Sequence, residues 1–286
     1  MSSQKEIKTR ITSVSSTMKI TSAMKMVASA KLHKAQKNSE TFVPYQRKLE
    51  TMLRNFLSTE TTFTSPYAAV REVRRVAIVA VSSNSSLCGA FNSTVIRETN
   101  RIIDEYQSLG RENIVVFPVG KKVYDACRKR GLAVENLNRY IDNPQYEAAT
   151  AFADRLMELF VSGKVDKVEL VYQHCKSTST QQLVRTDFLP IKLEMGADGV
   201  ALATDYIVEP SKREILDELL PKVLRLKIYA MLLDSYAAEQ AARTVAMQVA
   251  TDNANDLLQE LTIQYNKSRQ QAITNELLDI IGGAQQ

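Results

Sequence analysis

An α/β fold carried between two long terminal helices is what this 286-residue chain predicts, and three observations predict it. The first is where glycine falls. Seven of the nine glycines lie between Gly89 and Gly199, and the other two, Gly282 and Gly283, sit near the C-terminus. Glycine punctuates turns and closes helices, so its absence from residues 1–88 and 200–281 implies long uninterrupted elements at both ends. The second is apolar spacing of three and four residues at both ends, which is helical. The third is a middle in which apolar β-branched runs alternate with helical patterns, the signature of a small, mostly parallel, Rossmann-like sheet.

The N-terminal element opens on Ile7, Ile11, Val14 and Met18, and its stripe resumes at Ile20, Met24, Val27 and Ala28. Pro44 is expected to kink or interrupt it. "YQRKLETMLRNFL" then resumes the helix until the polar stretch "STETTFTSPY". The Ser and Thr residues between Thr12 and Ser29 are poor helix formers but small, and suit a close interhelical contact as well as they suit solvent.

In the middle, "RRVAIVAVSS" is a continuous Val/Ala run of the kind a strand buried on both faces requires. A helix in "AFNSTVIRETNRIIDEYQSLG" follows, closed by Gly110. Next come a strand in "NIVVFPVG", helices in "KKVYDACRKRG" and "PQYEAATAFADRLMELFVSG", and strands in "VDKVELVYQHC" and "QLVRTDFLPI".

The C-terminal element starts after Pro210, with Ser211 as N-cap and Glu214 three residues on, as in a capping box. From there to Ile281 the only breaker is Pro221, near the start. About 70 helical residues would span roughly 105 Å, wider than a compact domain of this size. The apolar stripe of such a helix needs a partner, and the only segment of matching character is the N-terminal one. The two ends are therefore expected to form an antiparallel coiled coil, with the C-terminal tip running past its partner. The organisation is residues 1–58 as the N-terminal coiled-coil helix, 70–208 as the α/β domain and 209–286 as the C-terminal coiled-coil helix.

Composition narrows the function. There is no run of about 18 apolar residues, so no transmembrane helix is expected, and "MSSQKEIKTR" lacks the apolar core of a secretory signal. Cys88, Cys127 and Cys175 are widely spaced and the only histidines are His33 and His174, which argues against a disulfide framework or a zinc site. The net charge of +5 is unevenly spread: eight Lys and Arg against Glu6 make residues 1–37 about +7. A local field of that size steers acidic partners.

Chemistry is sparse. A Rossmann-like sheet invites a nucleotide, but "SSNSSLCGAFN" after the first strand has one glycine, not the GxGxxG phosphate cradle. "GKK" at Gly120 lacks the upstream glycine and the hydroxyl of a phosphate loop. Cys88 stands at a strand-to-helix turn, where a helix N-terminus could lower its pKa, although a small buried thiol at a tight turn is the simpler reading. Asp252, Asp256 and Glu260 step by four along one face and read as a solvated acidic stripe. No catalytic constellation, cofactor site or metal site is expected.

Three segments carry a family resemblance. "ITSAMKMVASAKLHKAQ", "LCGAFN" and "EQAARTVAMQVATDNANDLLQELTIQYNKSRQQAITNELLDIIGGA" resemble the N-terminal signature, the strand-to-helix turn and the C-terminal signature of the γ subunits of F-type ATP synthases. The resemblance implies a central-stalk rotor, present once per complex. Its coiled coil would turn inside a ring of α and β subunits, and its α/β domain would lie near the membrane beside the ε subunit and the c-ring. It would be peripheral, on the cytoplasmic face of a bacterial plasma membrane. Ion flow through the c-ring would drive rotation, and ATP would be made or hydrolysed on β, not on this chain. Carried over by motif position, Met24 and Lys25 would face an acidic loop of β. Arg269, Gln270 and Thr274 would meet a second β loop, Arg243 would face the α–β ring, and Tyr206 and Glu209 would rest on the c-ring.

The chain departs from the family at Asn84, Ser85 and Ser86, where Asp-Arg-Gly is usual. The chloroplast-type insertion with two nearby cysteines is absent. The competing reading, carried by residues 1–37, is a basic coiled-coil protein that binds nucleic acid; the lack of aromatics there weakens base stacking. An enzyme using Cys88 is a third.

Overall fold

The computed structural model describes residues 4–59, 63–132, 134–191, 208–209 and 211–283. Two helices dominate it: α1, Gln4–Thr59, and α6, Lys212–Gly283. At 1.5 Å per residue they are roughly 84 and 108 Å long. Ser211 starts α6. Its hydroxyl accepts from the Glu214 N–H (3.3 Å) and donates to the Glu214 carboxylate (2.9 Å), a cap in which the glutamate reaches the hydroxyl.

Pro44 does not interrupt α1, contrary to the sequence expectation. It sits on the exposed side of the helix, so the carbonyl four residues back that loses its N–H partner is on the side open to water. Packing against α6 on the other side holds the helix together, with the Phe42 and Tyr229 rings in edge contact at 5.0 Å.

Between the helices lies a four-stranded sheet in the order β2-β1-β3-β4. β1 (Val76–Val81) is parallel to β2 (Ile114–Val119) and to β3 (Lys167–Cys175), while β4 (Gln181–Leu189) runs antiparallel to β3. β1 is the unbroken apolar run because both its edges and both its faces are covered. Ala77, Val79 and Val81 face one side; Val76, Ile78 and Ala80 face the other. Pro118, which has no N–H, lies in β2 at the end of the strand order, where a proline is tolerated. Gly120 follows with φ +102°, and a Cβ there would stand 2.1 Å from the Ser82 carbonyl oxygen, so only glycine fits.

The second face is covered by α2 (Phe91–Glu105) and α3 (Lys121–Lys129). The first is covered by the short α4 (Arg139–Asp142), which the sequence pattern did not disclose, by α5 (Tyr146–Val161), and by α6 itself. Leu224, Ile228, Met231 and Leu232 of α6 are at most 2% exposed and sit in the same core as Phe152 and Phe160 of α5. The long helix is thus both a coiled-coil strand and part of the wall of the sheet.

Past the C-terminal end of α2, polar groups close the second face over β3 and β4. Glu169, nearly inaccessible, accepts hydrogen bonds from Tyr106 Oη, from Arg185 Nε (2.7 Å) and from Lys167 Nζ (2.8 Å). Arg185 also meets Glu105 at 2.8 Å, and Lys167 meets Asp187 at 3.0 Å. Burial pushes the Glu169 carboxyl upward, but its hydrogen bonds to Arg185, Lys167 and Tyr106 outweigh burial and hold it down at about 2. A folded-state value below the ordinary 4.5 means that the network stabilises the fold fully above about pH 4.5, and that this contribution disappears as pH falls toward 2. Glu169→Gln should lower unfolding free energy at pH 7 by about 3 kcal/mol. Urea titrations across pH should show the gap to wild type narrowing between pH 4.5 and 2.

Candidate functional site

The surface with functional character is the shaft, and its register follows from the contacts across the seam. At the base, Leu53, Phe56 and Leu57 of α1 pack on Leu216, Leu219, Leu220 and Val223 of α6. Midway, Leu32 and Ala35 meet Ala237 and Ala241. Farther on, the Thr21 and Thr251 hydroxyls lie 2.9 Å apart and Lys25 Nζ donates to Gln248 Oε1 at 2.5 Å. The pairing is antiparallel throughout. Alanine in the middle lets the backbones approach closely. Of the Ser and Thr residues from Thr12 to Ser29, Thr21 reaches across the seam, whereas Thr12, Ser13, Ser16, Thr17 and Ser29 are exposed.

Extending that register brings Gln4 level with about residue 268. Roughly the last 15 residues of α6, about 22 Å, therefore run past the described start of α1. Along this overhang Arg269, Gln270 and Thr274 are exposed, and the Thr274 hydroxyl is turned back onto the Gln270 carbonyl at 2.9 Å. Ile273 lies within the polar band, and beyond it the face becomes apolar again: Leu277, Leu278, Ile280 and Ile281 are 54–68% exposed. The expected overhang is there, and its polar interruption is a band between the buried seam and an apolar end.

Met24 and Lys25 lie half-buried beside the seam. Lys25 is tied through Gln248, whose Nε2 donates to both oxygens of Asp252 at 2.7 and 2.9 Å. The remaining basic residues of the first 37, from Lys5 to Lys37, are exposed. So are Asp252, Asp256 and Glu260, a solvated stripe. Among the described residues, no cluster of His, Cys, Asp or Glu is arranged to hold a metal. Glu209 is exposed, while Tyr206 lies outside the described residues.

Arg243 differs from expectation. Its side chain is 8% exposed and points into the protein. It donates to the Ser86 carbonyl (2.6 Å) and the Ser85 hydroxyl (2.8 Å), and it pairs with buried Glu239 at 2.5 Å. A guanidinium with three internal acceptors is not presented to an outside surface. Asn84 and Ser85, which stand where the family has a charged pair, thus have internal work. Asn84 bonds Asp142 (2.7 Å) and the Lys121 N–H (2.9 Å). Sequence reasoning missed Glu239, whose i, i+4 spacing to Arg243 was a usable signal. It also missed Asp234, whose carboxylate meets His174 Nδ1 (2.6 Å) and accepts from the Cys175 N–H (3.0 Å). That contact has no local signature.

Cys88 is not activated. Burial pushes its thiol up, against the opposing pull of Ser83, Arg243 and Asn92. It packs with Phe91, Ala238 and Ala242, as a small buried thiol does.

A helix that is a coiled-coil strand along one side, the wall of an α/β sheet along another, and bare at its tip defines a shaft-and-body protein. Among the described residues, no helix is long and apolar enough to cross a membrane. The family model described as ATP synthase matches residues 3–286. ATP synthase gamma chains of Bacteroides thetaiotaomicron and Phocaeicola vulgatus are 55% and 56% identical to it, each aligned over 99–100% of both chains. The chain belongs to the ATP synthase gamma family.

Two solved structures share its fold. A chain of the Tetrahymena thermophila mitochondrial ATP synthase central stalk and c-ring has a TM-score of 0.61 at 25% identity, over 81% of this chain and 99% of that one. A chain of the Euglena gracilis mitochondrial ATP synthase rotor has 0.63 at 18%, over 94% and 98%. The nucleic-acid reading of the basic helix finds no support in these relatives.

The seam itself is testable. The Thr21 hydroxyl also reaches the Met18 carbonyl (3.0 Å), and Thr251 reaches Met247 (2.8 Å). Two protons cannot serve three bonds, so one hydroxyl must give up its own helix to bridge. A double-mutant cycle of Thr21→Ala and Thr251→Ala, read by thermal unfolding of the full chain, should give a coupling of about 0.5–1.5 kcal/mol.

Proposed function

We propose that this chain is the central-stalk rotor of an F-type ATP synthase, one copy per complex, and that it is not itself catalytic. Residues 1–58 and 209–286 form the shaft, which turns inside a ring of α and β subunits. Residues 70–208 form the body, which lies outside the ring beside the ε subunit and the c-ring. Rotation of the c-ring, driven by ion flow, turns body and shaft together and drives ATP synthesis on the β subunits; hydrolysis turns them in reverse. The complex is held at the cytoplasmic face of a bacterial plasma membrane, with this chain as a peripheral component.

The observation that carries the reading is the double burial of α6 together with its bare tip. A helix fixed to a body along one stretch and free at the far end transmits a turn over its whole length. Supporting it, the exposed basic face of α1 has the charge to meet an acidic loop of a β subunit. Met24 and Lys25 lie on the stretch proposed to face that loop, and Arg269, Gln270 and Thr274 on the stretch proposed to meet the second. Hydrogen-bonding groups there can exchange one β subunit for the next. Glu209, with Tyr206, is proposed as the c-ring foot. Arg243 is withdrawn from the contact set because its guanidinium is used internally.

Two measurements test this. The isolated chain should hydrolyse no ATP and should co-purify stably with α and β subunits; failure to join such a complex sinks the reading. Within the assembled complex, Arg269→Ala with Gln270→Ala should leave assembly intact. Hydrogen bonds to a charged group are worth about 1.5–3 kcal/mol, so single-molecule rotation under ATP should show a rate loss of about tenfold or more. Unchanged torque and rate would remove these residues from the contact.

A further inference from the structure

The sheet has a crevice where a ligand would ordinarily sit. The chain leaves β1 for β2 on one side and later crosses to β3 on the other, so the strand order reverses between β1 and β3. In doubly wound sheets ligands bind at that point, beyond the carboxyl ends of the strands. Here the place is taken by α6. Ala238 and Ala242 pack against Cys88 and Phe91, with Cys175 at the end of β3 beside them.

We infer that this crevice is the joint that fixes the angle of the body on the shaft, and that Arg243 is its positioning residue. This rests on the rotor reading given above. The apolar contact of Leu224, Ile228 and Leu232 with the sheet is adhesive but non-directional. Hydrogen bonds have direction. Beside the apolar contact Arg225 donates to Asp154 (2.7 Å) and Lys227 to the Asp187 carbonyl (3.1 Å), and further ones stand at the crevice. Arg243 holds the loop after β1 by the Ser86 carbonyl and the Ser85 hydroxyl, and Glu239 holds the guanidinium.

On its far side the same loop is held by Asn84. Its amide nitrogen donates to the Asn138 carbonyl (3.0 Å) and to Asp142, and its oxygen accepts from the Lys121 N–H. One polar chain therefore runs from α6 through the loop to the start of α3 and to α4. A second tie, about 13 Å back along α6, joins Asp234 to His174 and to the Cys175 N–H. These two ties, with those of Arg225 and Lys227 nearer the start of α6, are spaced along the helix and resist twisting more than non-directional apolar contact does alone.

The test uses the full chain and the assembled, membrane-reconstituted complex. In the isolated chain, Arg243→Ala should speed amide exchange across residues 83–89 and leave residues 224–232 protected. In the complex, ions pumped per ATP hydrolysed should stay near wild type at low opposing gradient and fall as the gradient builds, because a loosened joint slips under load. Arg243→Lys, which can still donate to the Ser86 carbonyl, should recover part of both effects. If Arg243→Ala does not accumulate, Ser85→Ala removes one acceptor and should move both readouts the same way by less. A loop that stays protected, or a pumping ratio that holds under load while the loop loosens, overturns the joint. A wild-type complex with no coupled pumping would overturn the rotor reading instead, and the exchange experiment would still decide whether Arg243 holds the loop.

Discussion

The double burial of α6 is the constraint on which the rest of the structure depends. Its residues from Leu216 to Met247 are mostly buried, some against α1 and some against the sheet. A helix covered on one side tolerates small shifts along its axis. One covered on two sides by different partners cannot lift away from either without opening a packed core, and deletion of a large buried side chain typically costs about 2–5 kcal/mol. Shaft and body are therefore a single mechanical piece over this stretch. The sheet itself depends on it too, since α6 completes the cover that α4 and α5 begin on the first face.

Along the axis the chemistry of α6 changes with its surroundings. Against the sheet it presents Leu, Ile and Met; at the crevice and waist it presents Ala; across the upper seam it presents Thr and Gln; past its partner it is bare. Large side chains fill the wide gap between helix and sheet. Alanines set a narrow gap between two helices, and short polar groups bridge a seam that no longer lies against the body. Directional bonds to the body come from Arg225 and Lys227 beside the large side chains, and from Asp234 and Arg243 where packing residues are smallest; in the second place hydrogen bonds rather than volume specify position.

Much of this was legible in the sequence because it follows from local rules. Glycine position separated body from shaft, the Val/Ala run marked the central strand, and Ser211 with Glu214 marked the start of α6. What was illegible depends on contacts between residues distant in the chain. Arg243 looked like a surface arginine because the loop it holds lies 157 residues away. Glu169 carried no signal within its strand, because Tyr106 and Arg185, two of its partners, lie 63 and 16 residues away. Pro44 looked like a break because a propensity rule is blind to which side of the helix faces water. Motif position suggested outward contacts for Arg269, Gln270, Thr274 and Arg243 alike; the first three are exposed and Arg243 is turned inward onto the loop after β1, a difference that only the fold discloses.

The overhang shows why a turning shaft would combine two kinds of surface. Apolar contact is non-directional and scales with buried area, so an enclosing apolar wall would hold Leu277, Leu278 and Ile281 in place at nearly equal energy for every angle. Such a surface centres a shaft without stopping it. Arg269 and Gln270 would act oppositely: bonds from them to fixed acceptors would be angular, so their energy would vary as the helix turned. An apolar band at their height would remove that variation, and a polar group at the end would add stops where only centring is needed. The order seen along α6, seam, then polar band, then apolar end, keeps angular preference near the body that imposes the torque. In the rotor proposed above, the free end would act as a bearing.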